Sequence, residues 1–358
     1  MIAFLLFLPT IYNIPHFMYL LVVPLIFLRK RKFSLSLKNG LEKNSFYLLI
    51  VIIFLASINY FFGLNKVNDL SDIIPFFFVY LITFFIASEI RNQDLMIFIS
   101  LIAFECFIVF YEFYLGINTI FTSNPDYASD LSYEYLYFFR PMGLSSGSST
   151  VAFKILTGIV LSEYLTLNSK LRNFLRIFFI IALIVTFNRT AIIAIIFFYI
   201  YKNFNAKLFL FLFLFLFLFL FFNYFILQGY NIGDMILEQF FRGKSEVDLS
   251  YRDVIWKQNF QFIYDNLLTG NHSFKYFTLL DVYGQYEHAH NSFIEMLSTH
   301  GIFIFIGYIL FIFLNISKRN FNFILPFLIL SMYQYGIFWG ISFVDIVFLK
   351  LLIFYRRS

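Results

Sequence analysis

The sequence predicts an all-α, polytopic membrane protein, and three observations carry that prediction. Of 358 residues, 61% are hydrophobic and only 13% are charged, about half the roughly 25% charged residues of a soluble domain. Apolar runs of about 20 residues recur, which is the length a helix needs to cross a bilayer. These runs are continuously apolar, whereas an outer-membrane barrel alternates apolar and polar residues over about ten positions. Finally, the basic residues gather in short clusters between the runs.

The runs place spans at 3–28, 44–63, 73–90, 95–116, 151–168, 174–188, 190–202, 207–228, 292–316, 321–338 and 340–355. That is about 11 transmembrane helices, or 12 if Pro9, Asn13, Pro15 and His16 break the first run in two. The alternation of Leu and Phe from Leu208 to Phe222 has a period of two, but no polar face accompanies it, so a helix is expected there. The 57 Phe residues fit lipid-facing positions that accept any apolar side chain. Cys106 is the single cysteine, so no intrachain disulfide forms. The N-terminus lacks a charged n-region and a small-residue cleavage site, so no cleaved secretory signal is expected.

Basic residues decide orientation, because cytoplasmic loops are rich in Lys and Arg. Arg29 to Lys32 with Lys38 and Lys43, then Arg91, then Lys170, Arg172 and Arg176, then Lys202 and Lys207, then Lys318 and Arg319, then Lys350, Arg356 and Arg357 all fall on one face with these spans. That face holds 17 of the 26 basic residues and is expected to be cytoplasmic, with the C-terminus on it. Two loops then face outward, at 117–150 and 229–291. The chain thus divides into an N-terminal bundle (1–228), a large outer loop (229–291) and C-terminal helices (292–358). The larger loop carries 5 Lys and Arg against 8 Asp and Glu. This balance argues against nucleic acid or anionic headgroups as its partner, and it makes individual arginines there look specific.

The densest candidate site is Glu287-His288-Ala289-His290-Asn291-Ser292-Phe293-Ile294-Glu295. Two of five histidines stand here, beside carboxylates and an Asn, and imidazole is the side chain that titrates nearest neutrality. Ser292-x-x-Glu295 has the form of a capping box, which predicts a helix starting at Ser292. The histidines would then lie at a helix N-terminus, where free N–H groups favour an anion. His-x-His also suits a metal, with only carboxylates to complete the ligand set. In the outer loop, Trp256, Phe260, Ile263, Tyr264 and Leu267 make one apolar stripe that Gly270 ends. An amphipathic helix lying on the membrane surface is expected, capped by Ser250 or Asp253 and bearing Arg252 at its edge. Arg189 follows Phe187-Asn188 between two short spans, and Arg140 opens a Pro- and Ser-rich turn, Arg140-Pro141-Met142-Gly143. Arginines match phosphate oxygens in a bidentate manner, so these residues suggest a phosphorylated, membrane-embedded substrate.

Arg252-x-x-x-Trp256, Gly270, the run from His288 to Glu295 and Gly301 together resemble the signature of the O-antigen polymerase and O-antigen ligase family of bacterial membrane proteins. Arg140-Pro141-Met142-Gly143 resembles the family's Arg-x-x-Gly element. Phe187-Asn188-Arg189-Thr190-Ala191 resembles its Ser-Arg turn, with Asn188 where Ser is usual. The resemblance implies a metal-independent glycosyltransferase without cofactor, at the outer face of the bacterial cytoplasmic membrane. Its donor would be an undecaprenyl-pyrophosphate-linked glycan, bound by Arg189 and Arg252 with Arg140 as a third contact. His290 would be the base and His288 its assistant, with Asn291, Glu295 and Trp256 in support. Polymerase is preferred over a ligase that moves glycan to the lipid A core. The partners would be the lipid bilayer, a chain-length regulator and a flippase. A flippase or other transporter is the rival reading, for which Glu105, Glu112, Glu295 and Asp345 inside spans speak; the absence of repeated halves speaks against it.

Overall fold

The computed structural model describes residues 1–30, 37, 40–64, 76–123, 140–202, 252–280, 285–334, 336–338 and 340–355. The expected span at 207–228, the end of the first outer loop before Arg140 and the candidate cap Ser250 lie outside the described residues.

The described chain is mostly helical. Its α-helices are α1 (Ile2–Phe7), α2 (Val22–Lys30), α3 (Gly40–Phe62), α4 (Phe76–Glu89), α5 (Asn92–Leu115), α6 (Ser148–Tyr164), α7 (Ser169–Val185), α8 (Arg189–Lys202), α9 (Arg252–Asp265), α10 (Ser292–His300), α11 (Ile302–Asn315), α12 (Phe321–Ser331) and α13 (Phe343–Leu352). Two short strands, β1 (Thr278–Leu280) and β2 (Gln285–Glu287), form an antiparallel hairpin. Among the described residues, α3 and α5 are long and apolar enough to cross a membrane, and shorter apolar helices accompany them.

Two expected spans are not single helices. Residues 3–28 break as Pro9 and Pro15 suggested: 3₁₀ turns at Leu8–Thr10 and His16–Leu21 flank a bend in which Asn13 takes φ 62°. The span at 292–316 is interrupted by Gly301, at φ 78°, which separates α10 from α11. A β-carbon on Gly301 would lie 2.2 Å from the Leu268 carbonyl oxygen, and one on Gly270 would lie 2.6 Å from the Gly301 nitrogen. The two glycines let the outer loop and the helix break touch backbone to backbone.

Several helices are apolar all round, the mark of a segment that meets protein on one side and lipid on the other. On α7, Leu175, Phe179 and Ala182 are buried, while Phe174, Ile177, Ile181 and Ile184 are exposed. The phenylalanines are more than lipid filler. Phe84, Phe98, Phe179, Phe198, Phe311, Phe327 and Phe338 are fully buried, and many pair edge to face, as Phe98 does with Phe343 at 4.8 Å. Such ring pairs add about 0.5–1.5 kcal/mol each beyond burial. The closest helix neighbours are α8 with α12, α6 with α7, α3 with α11, and α5 with α1, α6 and α7.

Several of the basic clusters are tied to other segments of the chain. Arg29 bonds Asp94 at 3.0 Å, three residues after Arg91. Arg176 and Lys202 both bond the buried carboxylate of Glu163. Asn320, next to Arg319, donates to the Leu352 carbonyl near the C-terminus at 2.8 Å.

The carboxylates that favoured transport hold backbone instead. Glu105 and Glu112 sit two turns apart on one face of α5. Glu112 accepts from Ile120, Met142 and Gly143 N–H at 2.9, 3.0 and 2.7 Å. Glu105 accepts from Leu144 N–H and Ser145 Oγ, both at 3.0 Å, and from Lys154 Nζ at 2.6 Å. Asp345 accepts from Phe338 N–H at 2.6 Å and from Ser342 Oγ at 2.9 Å. Gly143, at φ 59°, sits where a β-carbon would be 2.9 Å from Glu105 Cγ. The Glu105–Lys154 pair is fully buried, with side chains 0% and 1% exposed. Removing one partner of such a pair costs about 3–5 kcal/mol, because the other charge is left buried and alone. Lys154→Met is therefore expected to lower the thermal unfolding midpoint of the detergent-solubilised protein sharply, with Lys154→Met/Glu105→Gln recovering most of the loss. Equal midpoints for the single and double variants would refute this.

Candidate active site

The site is built around one pinned peptide. Ala289, between the two histidines, is completely buried. Its N–H donates to Glu295 Oε2 at 3.0 Å, and its carbonyl accepts from Trp256 Nε1 at 2.7 Å. Trp256 comes from α9 and Glu295 from the first turn of α10, so two elements fix one residue. Ile263, Ile294, Trp256 and Leu297 enclose Ala289 in a small apolar cluster. The third anchor is Asn291. Its Oδ1 caps α10 by accepting from Phe293 and Ile294 N–H at 2.9 and 3.0 Å, and its Nδ2 donates to the Met332 carbonyl at 2.7 Å.

The helix thus starts at Ser292 as the sequence predicts, but the capping box does not form. Asn291 is the cap, and Glu295 reaches back past it to Ala289. Ser292 Oγ is used elsewhere, accepting from Gly336 and Ile337 N–H at 3.0 and 3.2 Å. The serine of the motif is engaged by backbone more than 40 residues away, and its glutamate by a residue six positions back.

Between these anchors His290 takes φ 49°. A non-glycine residue in the left-handed region is strained by about 1–3 kcal/mol and persists only where its surroundings hold it. The imidazoles of His288 and His290 lie 4.1 Å apart between centroids, and His290 Nε2 is 3.4 Å from Glu287 Oε2. Burial, helped by the Lys275 and Arg252 cations, pushes His288 down to about 4. Burial, helped by His288 and Arg252, pushes His290 down to about 3. Both rings are therefore neutral near pH 7, the form that accepts a proton.

Ligand atoms of Glu287, His288 and His290 all lie within 4.8 Å of one another, a spacing a metal ion could bridge. The same imidazoles feel two cations, Arg252 and Lys275. That field opposes a dication and favours an anion.

Arg252 is the first residue of α9 and acts on both imidazoles. The helix exists as expected, but its buried face is Ile255, Asn259 and Ile263. Phe260, Tyr264 and Leu267 of the expected apolar stripe face away from the protein, as a stripe laid on a membrane surface would. The buried face turns inward because Asn259 Nδ2 bonds Thr278 Oγ1 at 2.8 Å and so ties α9 to the hairpin.

Arg189 opens α8, and Asn188 caps that helix by accepting from Ala191 N–H at 3.0 Å. Ser and Asn are equivalent caps, which gives the Asn in the place of the usual Ser a physical reason. Asn188 Nδ2 also reaches Ser149 Oγ at 3.5 Å. Arg140 lies within the first outer loop, its N–H held by Asn118 Oδ1 at 2.8 Å.

His288 and His290 open on a cavity of about 410 Å³, whose lining includes the bend Pro9 to Ile14, Ser146, Ser149, Thr150, Lys154, Gln334, Gly336 and Ser342. This size falls within the roughly 300–1,000 Å³ of ligand sites. Arg140, Arg189 and Arg252 are not among its lining residues; the Arg189 turn touches it through Ser149. The structure therefore brings His288, His290, Asn291, Glu295, Trp256 and Arg252 together. Lys275, near His288 and Glu295, escaped the sequence reading. Its only signal was the hairpin pairing Thr278 with Glu287, three residues on from Lys275 and three short of His290.

The described chain thus combines apolar helices with a histidine pair, held neutral, in the field of an arginine. Residues 174–312 match the family described as O-antigen ligase. Members of that family are membrane-associated, glycosyltransferase-like enzymes. The match runs from α7 through most of α11 and includes Arg189, Arg252, His288 and His290. No curated protein matches the chain.

Proposed function

We propose that the chain is a surface-polysaccharide polymerase that joins undecaprenyl-pyrophosphate-linked repeat units at the outer face of the cytoplasmic membrane. The observation that carries this reading is the neutral, strained His290, fixed through Ala289 and Asn291 at a cavity mouth within the field of Arg252. His290 takes the proton of an acceptor hydroxyl. That oxygen bonds to the anomeric carbon of the donor glycan while the bond from this carbon to the phosphate oxygen breaks. The pyrophosphate leaves with its lipid, and Arg252, with Arg189 and Arg140 as further contacts, meets the negative charge that develops on it. His288 orients His290. These cations do the neutralising, so the reaction is independent of metal and needs no cofactor. A chain-length regulator and a flippase are the partners that such a polymerase needs.

The second reading, a ligase that moves finished glycan to the lipid A core, is favoured by the description of the matched family, O-antigen ligase. The two separate in a strain lacking this gene. Loss of a polymerase leaves a single repeat unit on the core. Loss of a ligase leaves the core bare and long chains on the lipid carrier. Unchanged glycan on both core and carrier would defeat both readings.

A further inference from the structure

Charge is divided sharply across the site. The cations that act on the histidines, Arg252 and Lys275, come from α9 and the approach to the hairpin. Neither cation is among the residues that line the cavity on which the imidazoles open. Its lining cation, Lys154, is committed to Glu105 Oε1 at 2.6 Å and to the Thr10 carbonyl and Oγ1 at 3.3 and 3.2 Å. The rest of the lining is uncharged: apolar side chains such as Phe153, Phe343 and Val344 make most of the wall, and neutral polar groups are set among them. Among the described residues, the side chains of Asn13, Ser146, Thr150 and Gln334 line it and make no hydrogen bond within the protein. Tyr12 presents a fixed ring: its N–H donates to the Leu144 carbonyl at 2.7 Å, its hydroxyl to the Ser123 carbonyl at 2.9 Å, and its ring lies 5.3 Å from that of Phe121.

Uncommitted amides and hydroxyls around a rigid ring suit a ligand that is uncharged and rich in hydroxyl groups. A pyrophosphate would find no free cation there. We propose that this cavity is the acceptor-sugar subsite, with Asn13 and Gln334 as its specificity-determining residues, and that the donor phosphates stay on the Arg252 side. The inference rests on the transferase reading, which it deepens by assigning the two substrates to opposite faces of His290. An acceptor hydroxyl in the cavity meets the imidazole from one side while the leaving group departs on the other. The bend at residues 9–14 thereby becomes part of the site, although it lies outside the family match at 174–312.

The test uses the full-length protein in nanodiscs. Two probes are titrated separately: the repeat-unit oligosaccharide released from the host strain's own polysaccharide, and inorganic pyrophosphate. Asn13→Gly removes the amide while tolerating the positive φ. Combined with Gln334→Ala, it should weaken oligosaccharide binding about tenfold, in line with two lost hydrogen bonds, and leave pyrophosphate binding unchanged. Arg252→Ala should do the reverse. Ser146→Trp, which fills the cavity, should abolish oligosaccharide binding while pyrophosphate still binds, which shows that the variant is folded. Oligosaccharide affinity that survives both Asn13→Gly/Gln334→Ala and Ser146→Trp overturns the subsite. Pyrophosphate that binds Arg252→Ala as well as wild type counts instead against the transferase reading and leaves the sugar subsite standing.

Discussion

Replacing His290 with alanine is expected to lower glycan transfer by about 10²–10⁴-fold, the usual contribution of a positioned general base. The protein should still accumulate in the membrane, because alanine leaves the pins on Ala289 and Asn291 untouched. In a deletion strain carrying His290→Ala, glycan chains should fail to grow. Wild-type chain lengths would sink the role assigned to His290. The pH dependence gives a second, independent reading. A free imidazole titrates near 6.5, whereas burial and Arg252 hold His290 down at about 3. As pH falls through 6.5, the free protein therefore keeps its base, and the acid limb of kcat/KM should lie below the ordinary histidine value. A bound pyrophosphate adds negative charge and raises the proton affinity of the ring, so the acid limb of kcat should lie above that of kcat/KM. Limbs in the opposite order would show that the phosphates do not sit near this imidazole.

The second large effect is expected at Glu295, which never needs to touch substrate. Glu295→Ala removes the acceptor for Ala289 N–H and leaves a void in a fully buried place. The left-handed turn at His290 then loses one of its restraints, and a misplacement of about 1 Å costs on the order of 10²-fold in rate. Glu295→Gln keeps an oxygen for the same bond and should retain most activity. The signature of a positioning role is a fall in kcat with donor KM little changed, rescued by glutamine. A glutamine variant as inactive as the alanine variant would mean that the charge of Glu295, rather than its hydrogen bond, matters.

How much of this was legible beforehand depends on the range of the contacts involved. The break in the first 28 residues could be read from Pro9, Asn13 and Pro15, because proline and a left-handed Asn act locally. The cap at Asn188 could be read for the same reason. The break at Gly301 was less plain: Ser298-Thr299-His300 interrupt the apolar run just before it, but the contact that demands a glycine is with the Leu268 carbonyl, more than 30 residues away. The Ser292-x-x-Glu295 pattern misled because both side chains have partners outside the helix that satisfy them better. Glu105, Glu112 and Asp345 looked like a transport pathway by composition, yet Glu105 and Glu112 organise a turn that only the folded chain brings near, and Asp345 holds the turn just before its own helix. His288, His290 and Arg252 were legible as chemistry, since few residues of that type occur in so apolar a chain. The cavity they open on was not, because Asn13, Ser146 and Gln334 are ordinary polar residues until the fold gathers them.

The tie from Asn291 to Met332, together with those from Ser292 to Gly336 and Ile337, has a consequence for exchange between relatives. The outer loop is not a cassette. Transplanting it alone would carry the histidines away from the segment after α12 that holds them, and would leave Asn291 to find a foreign carbonyl. The smallest unit that carries its own scaffold runs from Arg252 to Ile337. Inheritance of this site by recombination would therefore have to move the loop and the following three helices as one block.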